Sequence, residues 1–401
     1  MKILHFVISV LVLLAFVPGC AAVAPRQPAP TSEFRGLWVT RWDYRTREDV
    51  RQIMANAAAI ATTDVFFQVR GQGDAFYESR LEVWGGELLA DRPAGSTSPG
   101  FDPLAEAVRE AHRRGMRIHA WINVFPVWKG TTPPANPRHL YHARPQWRLH
   151  DAEGKAQPLN DHYVILNPVL PEVHDHIVEV SRDIVRRYAV DGLHLDYVRF
   201  VADAMDGRTL YPGDPRSIEM FRAATGRRGV ESTGDRAAYR EWIASRITDL
   251  VRRIAAEAAL ARPGVALTAA VWRRPDLARE QQLQQSDAWL RERTLARAIP
   301  MVYTTDDRQF ADDLRAWRDA APGRPISPGV GSFRHGPGQT PRQIELAGLD
   351  RGYCLFAYHA FFESANPEEP KDAATIAKRK ALRDDLIAYL RQRGVIVESE
   401  R

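Results

Sequence analysis

Apolar residues in this chain fall into short, near-continuous runs separated by longer stretches in which they recur every three or four positions. Eight such runs are rich in β-branched or aromatic residues: 36–40, 64–70, 117–123, 192–198, 265–272, 299–303, 326–331 and 353–358. Runs of this kind are what strands buried on both faces look like, and parallel strands need crossover helices between them. The helices show as a 3.6-residue period. Val173, Ile177, Val180, Ile184 and Val185 mark one over 171–188, and Val50, Met54, Ala57 and Ala61 mark another over 47–61. Asp102 and Pro103 supply an N-cap and a first-turn proline for the next, which Gly115 closes. Further helices are predicted over 239–261, 282–296, 308–320, 341–349 and 372–391. Eight strands alternating with helices predict an α/β fold, a (β/α)₈ TIM barrel over 34–393 followed by a short tail, 394–401. A doubly wound sheet would want a glycine-rich turn after the first strand, and Trp38-Val-Thr-Arg-Trp-Asp offers none.

Two connections break the regular spacing. Residues 72–100 follow the second strand and 125–167 follow the third. Both leave carboxyl ends of strands, where barrel enzymes assemble their sites, and long loops are uncommon unless they serve a function.

The amino terminus has a different character. Lys2 precedes an apolar run over 3–16, shorter than the roughly 20 residues that span a bilayer. It suits the core of a signal peptide, 1–19. Val17-Pro-Gly-Cys20 resembles a bacterial lipobox, which predicts lipid on Cys20 and a tether over 20–33. Ala21 after that cysteine predicts an outer-membrane lipoprotein facing the periplasm in a diderm host. The second cysteine, Cys354, lies in an apolar run and reads as a buried small hydrophobe. Net charge is +5, with the basic residues scattered and no dense arm. The basic balance therefore reads as a solvated surface, and no nucleic-acid partner is expected. The partners expected are a glycan and, through the anchor, a membrane.

In a barrel, polar and aromatic side chains at strand carboxyl ends are the candidates for chemistry. Here they include Arg41, Trp42 and Asp43; Gln68, Arg70 and Asp74; His119, Trp121 and Asn123; His194, Asp196, Tyr197 and Arg199; Trp272 and Arg273; Tyr303, Asp306 and Asp307; and Tyr358 and His359. Aromatic faces against sugar rings, with polar groups bonding hydroxyls, are a natural way to hold a glycan. The expected substrate-binding set is Arg70, Trp84, Trp121, Asn123, His194, Arg199, Trp272, Tyr303 and Tyr358. Asp196 is the leading catalytic candidate. Leu193 and Leu195 alternate with His194 and Asp196, so the latter two share a face. A carboxylate inside the mouth must be paired or used, and Arg199 or Arg70 is the available partner. His119, His194, Asp196 and His359 form a rival, metal-binding set, as in barrel amide hydrolases. No closely spaced His pair ends the first strand, and neither a metal nor a cofactor is called for. His174 and His176 ride on a helix and are expected at the surface.

Seven motifs carry a family resemblance: Phe34-Arg-Gly-Leu-Trp-Val-Thr, Val69-Arg-Gly-Gln-Gly-Asp-Ala-Phe-Tyr-Glu-Ser, Gly100-Phe-Asp-Pro-Leu, His119-Ala-Trp-Ile-Asn, Leu166-Asn-Pro-Val-Leu-Pro-Glu-Val, the string from Asp191 to Phe200, and Pro300-Met-Val-Tyr. In this order they resemble the glycosyl hydrolase-like family 10 proteins, a group of bacterial (β/α)₈ barrels. The resemblance implies hydrolysis of a glycan, and one lipoprotein of the family cleaves peptidoglycan strands stripped of their peptides. This chain departs from the family at Val124-Phe-Pro, where members tend to carry Pro-Tyr-Arg.

Glycoside hydrolysis generally needs two carboxyl groups. The strand of Asp196 resembles that of family 18 chitinases, but Val198 stands where their acidic Glu would be. It also resembles α-amylase-like barrels, whose fourth-strand Asp is the nucleophile, yet their Glu after strand five is absent here. The partner is therefore expected after strand six. Asp307 is the expected helix cap and Asp306 the expected second catalytic carboxyl, with Asp74, Glu78 and Glu363 as alternatives. A glycan-binding protein without a complete acid/base pair is the non-catalytic alternative.

Overall fold

The computed structural model describes residues 33–201 and 209–397. The expected signal peptide, Cys20 and most of the tether lie outside the described residues. Among those described, no helix is long and apolar enough to cross a membrane.

Eight parallel strands close into a barrel. In chain order they are β1 (Arg35–Val39), β2 (Asp64–Arg70), β3 (Arg117–Asn123), β6 (Gly192–Asp196), β7 (Ala266–Val271), β8 (Arg297–Val302), β9 (Gly329–Val330) and β10 (Tyr353–Leu355), and β10 pairs back onto β1. Strands β4 (Pro126–Lys129) and β5 (Tyr163–Ile165) form an antiparallel hairpin in the long third connection, which the apolar pattern did not predict. The helices run outside: α1 (Arg47–Ala59), α3 (Pro103–Arg113), α5 (Pro171–Arg187), α6 (Pro215–Thr225), α7 (Thr233–Ala261), α10 (Asp307–Ala320), α11 (Gln339–Ala347) and α12 (Ala373–Gln392). Short pieces α2 (Gly86–Leu89) and α4 (Leu140–Ala143) sit in the long loops. As predicted, Asp102 caps α3, accepting from the Ala105 amide. The single helix expected over 282–296 is instead two, α8 (Pro275–Gln282) and α9 (Ser286–Arg291). Leu283 between them adopts a left-handed conformation (φ 50°) that ends the first.

Two apolar layers result. Outward-facing strand residues pack against the helices, whereas Phe34, Trp38, Phe66, Trp121, Ile299 and Cys354 are among those that fill the barrel. The interior accepts such bulk because small residues face it. A Cβ on Gly329 would lie 2.8 Å from the Trp38 ring, and one on Gly192 would lie 2.0 Å from His119 Nδ1. Bulky rings on one strand thus fit over glycines on another, which close packing requires.

Buried charge ties the second connection to the barrel at two places. Arg70, at the end of β2, grips Glu82 with Nε at 3.0 and 2.9 Å and Nη2 at 2.8 Å, and its Nη1 donates to the Val124 carbonyl at 3.0 Å. His176 on α5 completes the cluster at 2.9 Å from Glu82. His176 is mostly covered and His174 is fully buried, its Nε2 2.7 Å from the Pro168 carbonyl. Both were expected at the surface, but Trp147 of the third connection packs on His176, and α7, with Arg246, Asp249 and Arg253, stands against the face of α5 that carries His174. At the second place Arg41 binds Glu87 at 2.9 Å and Tyr163 Oη at 3.1 Å, with Asp74 buried alongside. Burial works against the Arg41 charge, yet Tyr163, Glu87 and Asp74 hold it charged.

Two predictions follow from these clusters. Burial raises Glu82, but Arg70 and His176 bring it down to about 2, so its stabilising charge is present above the ordinary carboxyl range and lost as pH falls through about 2. Glu82→Gln leaves Arg70 buried without a counter-charge and is expected to cost about 3–5 kcal/mol in urea denaturation; a loss within experimental error would show that the pair is not structural. Asp74 behaves oppositely. Burial, with Glu87 beside it, pushes its carboxyl up to about 6. The folded chain then binds a proton that the unfolded chain has released, so this contribution is present below pH 3.8 and lost as pH rises through about 6. Asp74→Asn is expected to stabilise the fold by about 1–3 kcal/mol at pH 7, the gain closing toward pH 4. An equal gain at both pH values would refute the buried protonated carboxyl.

Candidate active site

The barrel mouth is built above a single hydrogen-bonded relay. Trp38 Nε1 lies 3.0 Å from His194 Nε2, and His194 Nδ1 lies 2.9 Å from Thr268 Oγ1. An indole nitrogen only donates, so His194 Nε2 accepts and the ring proton resides on Nδ1, pointing at Thr268. Burial, with His119 nearby, holds His194 well below its ordinary pKa, in keeping with this neutral tautomer. His194 was expected to bind substrate. Both its nitrogens are engaged within the fully buried relay, so it supports the site from beneath.

Asp196 stands one layer above, as the strand alternation predicts. Its Oδ1 accepts from Arg199 Nη1 at 2.9 Å and from the Tyr197 amide at 2.6 Å. The left-handed Tyr197 (φ 48°) turns the chain there, which is why β6 stops at Asp196 and Val198 is not part of the strand. Among the described residues no donor reaches Oδ2. Arg199 also lies 4.1 Å from the Tyr197 ring and 5.6 Å from the Trp272 ring. Tyr303 completes the group. Burial pushes its hydroxyl well above the ordinary value, and the Asp196 carboxylate adds to that shift, so the phenol stays a hydrogen-bond donor. The structure thus brings Asp196, Arg199, Trp272 and Tyr303 together.

The other expected substrate contacts are placed elsewhere. Arg70 is taken by Glu82. Trp121 is buried in the barrel and donates to Asn123 Oδ1 at 3.0 Å, while Asn123 Nδ2 donates to the Gly71 carbonyl at 2.9 Å. Both are therefore wall. Trp84 lies half-buried in a separate groove with Glu82, Leu89 and Arg138. Tyr358 faces outward: its hydroxyl accepts from Asn56 on α1 at 2.8 Å and its ring stacks on Phe362. Its place at the mouth belongs to Phe356, half-buried against Tyr303 with ring centroids 5.0 Å apart.

The carboxyl expected as partner is also reassigned locally. Asp306, not Asp307, caps α10, with Oδ1 accepting from Arg308 N at 2.8 Å and Gln309 N at 3.1 Å. Asp307 instead pairs with Arg342 at 3.1 Å. Asp306 is exposed on the rim, beside Arg273 and Arg274. Of the alternatives, Glu78 and Glu363 are exposed and Asp74 is buried.

One further group at this end lies outside the expected substrate set. His359 Nδ1 is 3.5 Å from Asp43 Oδ1 and 3.7 Å from Glu369 Oε1. Burial opposes its charge, but the two carboxylates outweigh it and raise its pKa. Glu369 comes from ten residues further along the chain, and no spacing signal announced it. As for the rival metal set, His119 is bound to Asp64 at the other end of the barrel, 2.9 Å away, and His194 is locked in the relay. Among the described residues no three His, Cys, Asp or Glu converge on a metal position.

Comparison with known proteins agrees with this barrel. The Glycosyl hydrolase-like 10 model matches residues 33–325. "Glycosyl hydrolase DigH" of Escherichia coli K12 is 26% identical over 279 residues, covering 63% of this chain and 57% of DigH. "Glycosyl hydrolase YngK" of Bacillus subtilis is 26% identical over 209 residues, covering 49% of this chain and 38% of YngK. The chain therefore spans little more than half the length of DigH and well under half that of YngK. Among solved structures, α-L-fucosidase isoenzyme 2 from Paenibacillus thiaminolyticus superposes with a TM-score of 0.61 at 14% identity, over 90% of this chain and 50% of that one. The PgaB (BpsB) glycoside hydrolase domain from Bordetella bronchiseptica gives 0.60 at 13% identity, over 88% and 99%. Such low identities speak for the barrel alone; the family model covers most of the chain, and the protein belongs to the glycosyl hydrolase-like 10 family.

Proposed function

We propose that this protein hydrolyses glycosidic bonds of a cell-envelope glycan, namely peptidoglycan glycan strands, with Asp196 at the reacting carbon. The observation that carries this reading is the setting of Asp196. It is a carboxylate at the carboxyl end of the fourth barrel strand, with one oxygen held by Arg199 and the Tyr197 amide and the other without a donor among the described residues. It stands beside the half-buried rings of Trp272 and Tyr303. Arg199 and the amide fix the carboxylate so that Oδ2 is presented to a sugar, as nucleophile or as base toward water. The aromatic faces suit pyranose rings, and the protonated Tyr303 suits a sugar oxygen. Family membership supports glycoside chemistry. The peptidoglycan assignment rests on the motif resemblance together with the expected export and lipidation at Cys20, which place the barrel in the envelope, anchored to a membrane. Neither a cofactor nor a metal enters this chemistry.

The proton donor is Asp306 in this reading. To act it must leave its cap, and that gives a clean test. Asp306→Ser keeps a capping oxygen but removes the carboxyl, so it is expected to retain stability while losing roughly 10²–10⁴-fold in rate. Unchanged turnover would confine Asp306 to capping. Asp196→Asn is expected to abolish release of new reducing ends from peptide-free glycan strands while leaving glycan binding intact. If the wild-type chain binds such strands without ever cleaving them, the protein is a glycan-binding lipoprotein instead, a reading the capped Asp306 favours. Cys20→Ala is expected to move the protein from the membrane pellet to the soluble fraction; unchanged partitioning would remove the anchor.

A further inference from the structure

The opposite end of the barrel holds a cavity of about 490 Å³. It is lined by Asp64, which begins β2, by Arg117 and His119 of β3, by Arg262 after α7, and by Arg297, which begins β8. Asp196 ends its strand, so this cavity and the mouth lie at opposite faces of the sheet's cylinder.

Its charges do not balance. Both oxygens of Asp64 are taken, by Arg117 at 2.8 and 2.6 Å and by His119 at 2.9 Å. Although burial raises it, those two partners hold Asp64 well below the usual carboxylate range. Asp191, the other carboxylate of the lining, is engaged by His112 at 2.9 Å and the Ile118 amide at 2.8 Å. Two arginines remain without a carboxylate. Arg297 is buried, donates to Ser327 Oγ at 2.5 Å and stands 4.0 Å over the Phe34 ring. Burial pulls it down to about 10. Arg262 is half-buried and donates to the Val185 and Tyr188 carbonyls at 3.1 and 2.8 Å. Among the described residues neither makes an ion pair. A buried guanidinium with no anion is costly, and guanidinium donors suit the oxygens of phosphate.

We propose that this amino-face cavity is a binding site for a phosphate-class oxyanion, held by Arg297 and Arg262. The oxyanion is either a soluble phosphate or the headgroup of a phospholipid. The second source has a geometric basis: Phe34 lines the cavity and Arg117 binds the Glu33 carbonyl at 3.0 Å. The amino-terminal segment therefore meets the barrel at this face. If Cys20 is lipidated, its distance to Glu33 is at most roughly 45 Å of extended chain, and this face is held near the membrane.

The test uses the full chain in detergent, comparing inorganic phosphate with sodium chloride at matched ionic strength. Phosphate is expected to raise Tm by about 2 °C or more over chloride, and the rise is expected to disappear in Arg297→Gln and Arg262→Gln. Arg262→Gln, half-buried on a loop, keeps the test valid if the Arg297 variant does not fold. Absence of a phosphate-specific rise in the wild type, or an equal rise in the folded variants, overturns the proposal. Sedimentation with phosphatidylcholine vesicles, with and without phosphatidylglycerol, identifies the source. A preference for the anionic vesicles that Arg262→Gln loses assigns a lipid headgroup. Equal sedimentation alongside the phosphate response assigns a soluble phosphate, and either result upholds the oxyanion site.

Discussion

The hydrogen bond between Trp38 and His194 is the constraint around which the upper barrel is organised. It joins β1 to β6 across the interior, and Thr268 extends it to β7. An indole N–H and an imidazole buried without partners would each carry a desolvation cost, and each satisfies the other here. The bond sets two further requirements. The strands around Trp38 must leave it room, which Gly329 does. The residue two positions beyond His194 must then stand above a closed, dry floor, and that residue is Asp196.

A carboxylate over such a floor is electrostatically exposed to whatever stands beside it, because little water screens it. Among the described residues the mouth answers with one ion-paired cation. Arg199 takes one oxygen of Asp196 and spreads its guanidinium toward Tyr197 and Trp272. Arg70, two barrel strands away, takes the opposite course: it closes on Glu82 with three contacts and is withdrawn from the mouth. Two arginines at the same end of the barrel thus divide the work. One secures the second connection, and the other leaves its carboxylate half available. Geometry, more than residue type, separates a structural ion pair from a reactive carboxylate.

That separation explains which parts were legible in the sequence. The eight strands are legible because a parallel barrel buries both faces of every strand, so each reads as a plain apolar run. The pairing of His194 and Asp196 on one face follows from strand periodicity alone. What periodicity cannot supply is height along the barrel axis, and His194 sits one layer too deep to meet a ligand. Phase fails wherever the backbone departs from regularity. Beyond the short β10 the chain turns, so Phe356 enters the mouth and Tyr358 points at α1. The cap of α10 fell one residue earlier than expected for a similar reason, since Asp306 and Asp307 are equally good caps by residue type. Arg70 was misread because its partner, Glu82, lies in an irregular loop whose path no pattern describes. His176 was misread because the surface that covers it is also loop, and His174 because α7 packs on its face of α5.

The two ends of the barrel differ in how their charge arises. In a parallel barrel every flanking helix points its carboxyl terminus toward the amino face, and that end of a helix carries partial negative charge. Basic last turns such as His112 and Arg113 of α3, or Arg186 and Arg187 of α5, answer it. Arg262, at the carboxyl cap of α7, belongs partly to the same account, since it donates to the carbonyls that end α5. Arg297 does not. It lies on a strand and is buried, and among the described residues it makes no ion pair; the nearby Asp64 carboxylate, already bound to Arg117 and His119, only partly offsets its charge. A fold that needed only a plug at this position would be served by an apolar side chain stacked on Phe34. A guanidinium kept there, with the adjoining carboxylate already consumed by Arg117 and His119, is chemistry that the packing of the barrel does not require. By the same standard Asp196 stands out at the opposite end, where an uncharged residue would also have closed the strand.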